Sequence, residues 1–292
     1  MEISFIKTGY KKSMEPIVCG RNISETPVAG TELQIAQSEY LKIADSIELL
    51  CRDDFWPSDF LMSKICSGFL NIIVKDTDDE ICLKVTYNQG KPYNELKIDS
   101  DSIVIKYPWD LLKINSFIIS NKKCFKHNGI IRQGVVIDGS VELGKGSVIL
   151  PGVYIEGNVL IGKNCKIGPN CYIRGNTSIG DNCHIGQAVE IKNSILMNNV
   201  SAGHLSYIGD SIIGENTNFG AGTITANFRH DGKNHISAVD GVLTDTGLRK
   251  FGTVFGDNVH TGIHTSIFPG RKIWPDMATM PGDIVKKDIK PR

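Results

Sequence analysis

Few residues in this chain have the type and spacing to do chemistry. His204 stands in the run Ser201-Ala202-Gly203-His204-Leu205-Ser206-Tyr207, Arg174 and Lys192 stand eighteen residues apart, and His260 and His264 stand four apart. An imidazole titrates near neutral pH, so a solvent-facing histidine is able to take a proton from a substrate. Two like charges about 5 Å apart repel by roughly 1 to 3 kcal/mol unless an anion lies between them. Two close histidines suit a divalent metal when a third ligand joins them.

The backbone that positions these residues is written in a repeat. From Ile131 to Ile191 an aliphatic residue falls at every sixth position without a slip. A helix returns to one face every 3.6 residues and a strand every two, so a period of six requires a chain that turns a corner every six residues. Glycine follows the aliphatic at Gly144, Gly162, Gly168, Gly180 and Gly186, and small residues recur near the corners. This predicts a triangular parallel β-helix, three hexads to a coil, with coils stacked at about 4.8 Å.

On that frame Asp138, Glu156, Arg174 and Lys192 form one outward column. Two readings stand here: Arg174 and Lys192 share an anion, or Arg174 pairs with Glu156 while Lys192 is solvated. After Ile191 the inward set continues as Leu196, Ala202, Ile208, Ile213 and Phe219, with two five-residue steps. His204 lies two past the inward Ala202 and so faces outward, as a surface residue or a proton-transfer group. From Ala226 to about Thr253 the hexad stops in a polar excursion, and the count of six resumes at Phe255, Thr261, Ile267, Ile273 and Thr279. Such an insertion at a corner is able to reach a neighbouring subunit. His260 and His264 need not share a face of a β-helix and no third histidine joins them, so no metal is expected. Cys165, Cys171 and Cys183 occupy small corner positions and read as buried free thiols.

The 292 residues suffice for two modest domains, 41% of them hydrophobic, and the 32 basic residues balance 32 acidic ones. Neither nucleic acid nor an anionic membrane is implied as a partner. The opening MEISFIKTGYKKSMEP lacks the apolar core of a signal peptide and no apolar run reaches membrane-spanning length, so the expected location is the cytoplasm. Residues 1–120 carry no sixfold period. Apolar spacing from Leu33 to Leu50 (Ile35, Tyr40, Ile43, Ile47) predicts an amphipathic helix, and strands are predicted over Leu70–Lys75, Ile81–Tyr87 and Ser102–Lys106. The expected organisation is a small α/β domain over 1–120, a linker at Ile118–Gly129, and a β-helix over 121–292.

Several runs carry a resemblance to a known family. Val189 to Asn193, the run SAGHLSYIGDSIIGENTNFGAGTITANFRHDGK from Ser201, and DTGLRKFGTVFGDNVHTGIHTSIFPG from Asp245 resemble the acetyltransferase domain of the glucosamine-1-phosphate acetyltransferase/uridylyltransferase family, its archaeal bifunctional members above all. The resemblance covers about residues 130–290. It implies a left-handed β-helix, an exception to the right-handed rule for parallel crossovers, and a homotrimer with active sites between subunits. It implies acetyl transfer from acetyl-CoA to the amine of a hexosamine 1-phosphate, glucosamine 1-phosphate first and galactosamine 1-phosphate second. It places the general base at His204, sugar-phosphate contacts at Arg174 and Lys192, sugar contacts at Tyr207, Asn218 and Asn227, and a lysine reaching a neighbouring site at Lys233. Bacterial members have tyrosine where this chain has Phe228, so a hydroxyl contact is missing. Arg249, Lys250, Arg271 and Lys272 are candidates for the CoA phosphates on charge alone. PVAGTEL (from Pro27) and YPWDLLKIN (from Tyr107) resemble parts of the nucleotidylyltransferase domain, but Cys19-Gly20-Arg21 stands where the family has a glycine-rich phosphate loop. A shortened, inactive remnant is therefore expected at the amino-terminal end. The rival readings are a non-catalytic sugar-phosphate or nucleotide-sugar binding protein and a zinc hydratase.

Overall fold

The structure, a computed structural model, describes residues 2–9, 11–42, 48–68 and 70–291, and divides into two compact units. The first comprises the described residues up to Lys11, Gly20–Thr26 and Thr31–Lys106. Its five-stranded sheet runs in the order Glu2–Ile6, Glu48–Arg52, Ile81–Thr86, Ile72–Lys75, Asn94–Lys97. The outer pairs are parallel and the inner pairs antiparallel. Leu49, Cys51, Val74, Leu83 and Val85 alternate inward and pack with Leu61, Met62 and Ile65 of α2 (Asp59–Gly68). The strands expected around residues 70–75, 81–87 and 102–106 are present at Ile72–Lys75, Ile81–Thr86 and Ile103–Val104.

The helix expected from Leu33 to Leu50 is shorter. It ends at Leu41 as α1 (Leu33–Leu41), and Glu48–Arg52 is a strand. Leu49 and Cys51 are fully buried at a spacing of two, and that strand period overrides the helical count. Ile43 and Ile47, used in that expectation, lie outside the described residues.

The second unit contains Lys12–Cys19, Pro27–Gly30 and everything from Tyr107 onward. It is a parallel β-helix. Ile155, Ile173 and Ile191 pair in register on successive coils, and Ile208 follows Ile191 across a shortened corner. Ile149, Ile155, Ile167, Ile173, Ile185 and Ile191 are fully buried, whereas Ile131 in the first coil is 37% exposed. The first face runs from Ile130–Ile131 through His184–Gln187 and Ser201–His204 to Asn218–Phe219. The second carries Tyr172–Arg174, Glu190–Lys192 and Tyr207–Gly209, and the third carries Thr177–Ile179, Ile195–Leu196 and Ile212–Ile213. One corner is a ladder of Asn164, Asn182, Asn199 and Asn216 with φ of 54°, 59°, 60° and 55°, a left-handed conformation that asparagine tolerates.

The third face is covered. Its outward residues Leu160, Ser178, Ile195, Ile212, Val254 and Lys272 are all buried, under α3 (Pro108–Asn121), whose Leu111 and Ile114 are themselves fully buried. Asn115 fastens the helix: its Oδ1 accepts from the Ser178 hydroxyl (2.8 Å) and the Ala29 N–H (3.0 Å), and its Nδ2 donates to Asn176 O (2.9 Å). Residues 118–121, expected in a linker, are the last turn of α3, and the contact boundary falls at Tyr107 rather than at residue 121. The apolar outward positions of the third face are the physical reason, because they require a cover.

Candidate active site

The first and second faces meet at a corner where Leu205 takes φ +50° and Ser206 is buried. Just before it, His204 ends the strand Ser201–His204 in register with Gln187. His204 is exposed, and among the described residues its ring makes no hydrogen bond; its carbonyl accepts from the Ser206 hydroxyl and the Gly222 N–H. Just after the corner, Tyr207 stands beside Glu190, and Arg174 beside Lys192, as register partners.

Here the side chains interlock. The Arg174 guanidinium donates through Nε (2.9 Å) and Nη2 (2.7 Å) to Glu190 Oε1 and lies over the Tyr172 ring. Lys192 is buried, 9% exposed, and its ammonium donates to both oxygens of Asp210 (3.1 and 3.0 Å). Asp210 also accepts from the amides of Asn193 (3.2 Å) and Asn227 (2.5 Å), and the Asn227 amide donates to the Tyr207 hydroxyl (2.9 Å). Burial, then the charges of Asp210 and Glu190, push the Tyr207 phenol above its ordinary range. The Glu190 hydrogen bond raises Arg174 further.

The reading that pairs Arg174 with Glu156 and leaves Lys192 solvated does not describe this arrangement. Glu156 accepts from the Tyr172 hydroxyl and is not the partner of Arg174, and Lys192 is not solvated. Each cation holds its own carboxylate, so the four groups balance in charge. Glu190 and Asp210 were not singled out from sequence. For Asp210 a signal existed: the step from Ile208 to Ile213 is one of the two five-residue steps, and that shortened corner holds Asp210 at φ +49° and tucks its carboxylate inward.

The remaining candidates are more dispersed. Asn218 is exposed on the first face, in register with Ser201 and bridging to His260. Lys233 is exposed, its main-chain N–H donating to Asp231 Oδ1 (3.1 Å). Of the four cations proposed for CoA, Arg249 donates to Gly232 O (3.1 Å) and Lys250 lines a cleft of about 520 Å³ between α3 and the corner residues Asn176, Asn193 and Asp210. Arg271 donates to Ile236 O (3.1 Å) and lines a separate cleft of about 620 Å³ with Phe228, Arg229, Phe268 and Lys286. Lys272 is buried, its ammonium on Ala238 O (2.9 Å). Lys250, Arg271 and Lys272 line three different cavities. Cys165 and Cys183 are free, and their thiols donate to Gly180 O (3.0 Å) and Met197 O (3.2 Å) of the next coil. Among the described residues no group of three or more histidine, cysteine or carboxylate side chains is placed to hold a metal.

The chain matches the domain model described as the GMPPB C-terminal domain over residues 155–276. It is 53% identical over 186 residues to the bifunctional protein GlmU of Methanococcus maripaludis strain C7, covering 64% of this chain and 45% of that protein. It is 40% identical over 182 residues to the bifunctional sugar-1-phosphate nucleotidylyltransferase/acetyltransferase of Sulfurisphaera tokodaii, covering 62% and 45%. Among solved structures, the UDP-N-acetylglucosamine acyltransferase of Francisella novicida aligns over 53% of this chain and 62% of its own at 16% identity, with a TM-score of 0.27, too low to support a functional reading. The chain thus spans about half the length of the curated relatives it matches. Over its carboxy-terminal part it is similar to the bifunctional GlmU and sugar-1-phosphate nucleotidylyltransferase/acetyltransferase proteins.

Proposed function

We propose that this protein transfers acetyl from acetyl-CoA to the amine of a hexosamine 1-phosphate, glucosamine 1-phosphate or galactosamine 1-phosphate, as a homotrimer. The observation that carries the reading is the corner itself. An exposed histidine with an unengaged ring stands on one side, and a polar cluster with two cations stands on the other. His204 takes a proton from the substrate ammonium, the freed amine attacks the thioester carbonyl, and the thiol of CoA leaves with a proton. Arg174 and Lys192 hold the phosphate, which fixes the amine relative to the base. Tyr207, Asn218 and Asn227 hold the sugar, and Lys233 reaches from the excursion toward a second copy. The 620 Å³ cleft suits the nucleotide end of CoA, with exposed rings at Phe228 and Phe268 beside Arg271 and Lys286.

The test is thiol release from acetyl-CoA with each sugar phosphate, wild type beside His204→Ala. Turnover that drops by about two to four orders of magnitude in the variant supports the reading. A sedimentation mass of three chains supports the trimer, and a single-chain mass removes it.

A second reading has its own support. The charge balance of Arg174–Glu190 and Lys192–Asp210 means that an entering phosphate competes with carboxylates already in place. That suits a non-catalytic protein that binds a sugar phosphate or nucleotide sugar. Ligand binding without thiol release from any amino sugar phosphate selects it. The first unit has no assigned activity in either reading, and we propose that it is a nucleotidylyltransferase remnant without transfer activity.

A further inference from the structure

The third face ends at a lysine that its surroundings do not neutralise. Lys272 is 2% exposed, in register with Val254 under the cover of the third face. Its ammonium has three donors, and among the described residues the one hydrogen-bond acceptor it meets is a neutral carbonyl, Ala238 O at 2.9 Å. The Trp109 ring lies 5.7 Å away and offsets part of the charge. Among the described residues no carboxylate forms an ion pair with it, although a buried charge ordinarily requires one. Burial accordingly pulls the ammonium down to about 8, against the opposing pull of Asp288, Asp240 and Glu15.

Lys272 forms the floor of a cavity of about 170 Å³. Trp274 stands beside it, and Lys12, Lys290, Glu15 and Asp240 form the walls and mouth. The two acids are engaged: Glu15 Oε2 accepts from Trp274 Nε1 (3.2 Å) and Asp240 pairs with Lys12 (3.1 Å). Asp288, the strongest charge opposing the pull of burial, accepts the main-chain N–H of Lys272 (3.0 Å) and does not line the cavity. Lys290 is exposed at the mouth, 4.4 Å over the Trp274 ring. The lining therefore carries three cations against two occupied carboxylates, with the least compensated cation deepest.

We propose that this cavity is a binding site for a small oxyanion of the phosphate class, seated on the Lys272 ammonium with Lys290 closing over it. Drug-sized ligands occupy roughly 300 to 1,000 Å³, so the cavity takes a free phosphate or the terminal phosphoryl group of a larger molecule, not a whole nucleotide. The anion accepts from the Lys272 donors that meet no acceptor and supplies the missing counter-charge. The site is independent of the Arg174–Lys192 cluster, which lies on the second face.

The experiment is thermal unfolding of the full chain in millimolar inorganic phosphate against chloride of equal ionic strength. Three proteins are compared: wild type, Lys272→Met, and Lys192→Met as a control for phosphate bound at the other cluster. Lys272→Met keeps the volume and removes an unpaired buried charge, a change that leaves packed interiors folded. The expected result is a phosphate-dependent rise in Tm of a few degrees in wild type that persists in Lys192→Met and is smaller in Lys272→Met, with affinity at the Lys272 cavity weakened by about tenfold or more. A CoA-dependent rise that is smaller in Lys272→Met than in wild type identifies a phosphoryl end as the source, and a Lys272-dependent rise with inorganic phosphate alone identifies the free ion. No phosphate-specific rise in wild type, or an equal rise in Lys272→Met, overturns the proposal.

Discussion

Asp210 holds more of the corner together than any residue chosen from the sequence. Among the described residues it is the sole carboxylate on Lys192, and it also accepts from Asn193 and Asn227. Replacing it with alanine leaves a buried ammonium unpaired, so Asp210→Ala is expected to lose about 3 to 5 kcal/mol of stability by urea denaturation. Asp210→Asn keeps the shape and removes the charge that competes with an entering phosphate for Lys192, and the expected result is smaller destabilisation with a lowered KM for the sugar phosphate. An unchanged KM in a folded Asn variant removes Lys192 from the phosphate site. The types and spacing of Arg174, Lys192 and His204 were legible in the sequence because each sits in a column of the repeat. Their partners were not. Glu190 and Asp210 approach across corners, and the period of six specifies which way a side chain points without specifying which neighbour it meets.

Among the elements, the excursion and the coils behave differently. His235 of the excursion is buried and its Nε2–H donates to Asn227 O (3.0 Å), so it supports the main chain of a candidate substrate residue. Burial lowers its pKa below that of a free histidine. A histidine held neutral by the fold contributes stability that is present above about pH 6.5 and is lost as pH falls through the lower folded value, because the unfolded chain takes the proton first. Stability should therefore fall between about pH 7 and pH 5, and the fall should be smaller in His235→Gln; equal slopes in urea melts would assign the acid sensitivity elsewhere. In the coils, the constraint is close approach. A Cβ on Gly186 would lie 2.0 Å from Gly203 O, on the strand that ends at His204. Gly186→Ala must push two coils apart, and the expected cost is about 1 to 3 kcal/mol, with turnover falling alongside Tm. The hexads made the coils legible, and the excursion broke that periodicity, so its hairpin Ile236–Val239 with Val242–Asp245 had no pattern to announce it. The missed end of α1 has the same origin in reverse: a helical count ran on through a segment whose burial alternates.

At the scale of the molecule, the second unit is one long stack in which each coil touches mainly its neighbours. Helix α3 is the exception, because it spans several coils at once. Its own Ile114 is fully buried, and Ile114→Ala is expected to cost about 2 to 5 kcal/mol. The loss should spread to third-face amides from Ser178 to Val254 in hydrogen exchange, whereas a loss confined to one coil would mean that α3 is an ornament of the stack. The covered face was the part of the architecture least visible in sequence. Its outward Ile195, Ile212 and Val254 look like exceptions to the repeat until the helix over them is seen.

Sealing one side of a three-sided rod also gives it a direction of approach. Two of its corners have one flank shut by α3, whereas the corner at Leu205 and Ser206 joins the two faces on which α3 does not lie. In the trimer proposed above, a small molecule and a second copy of the chain would share that approach. Whichever comes first sets the terms for the other, so order of arrival becomes a variable as real as affinity.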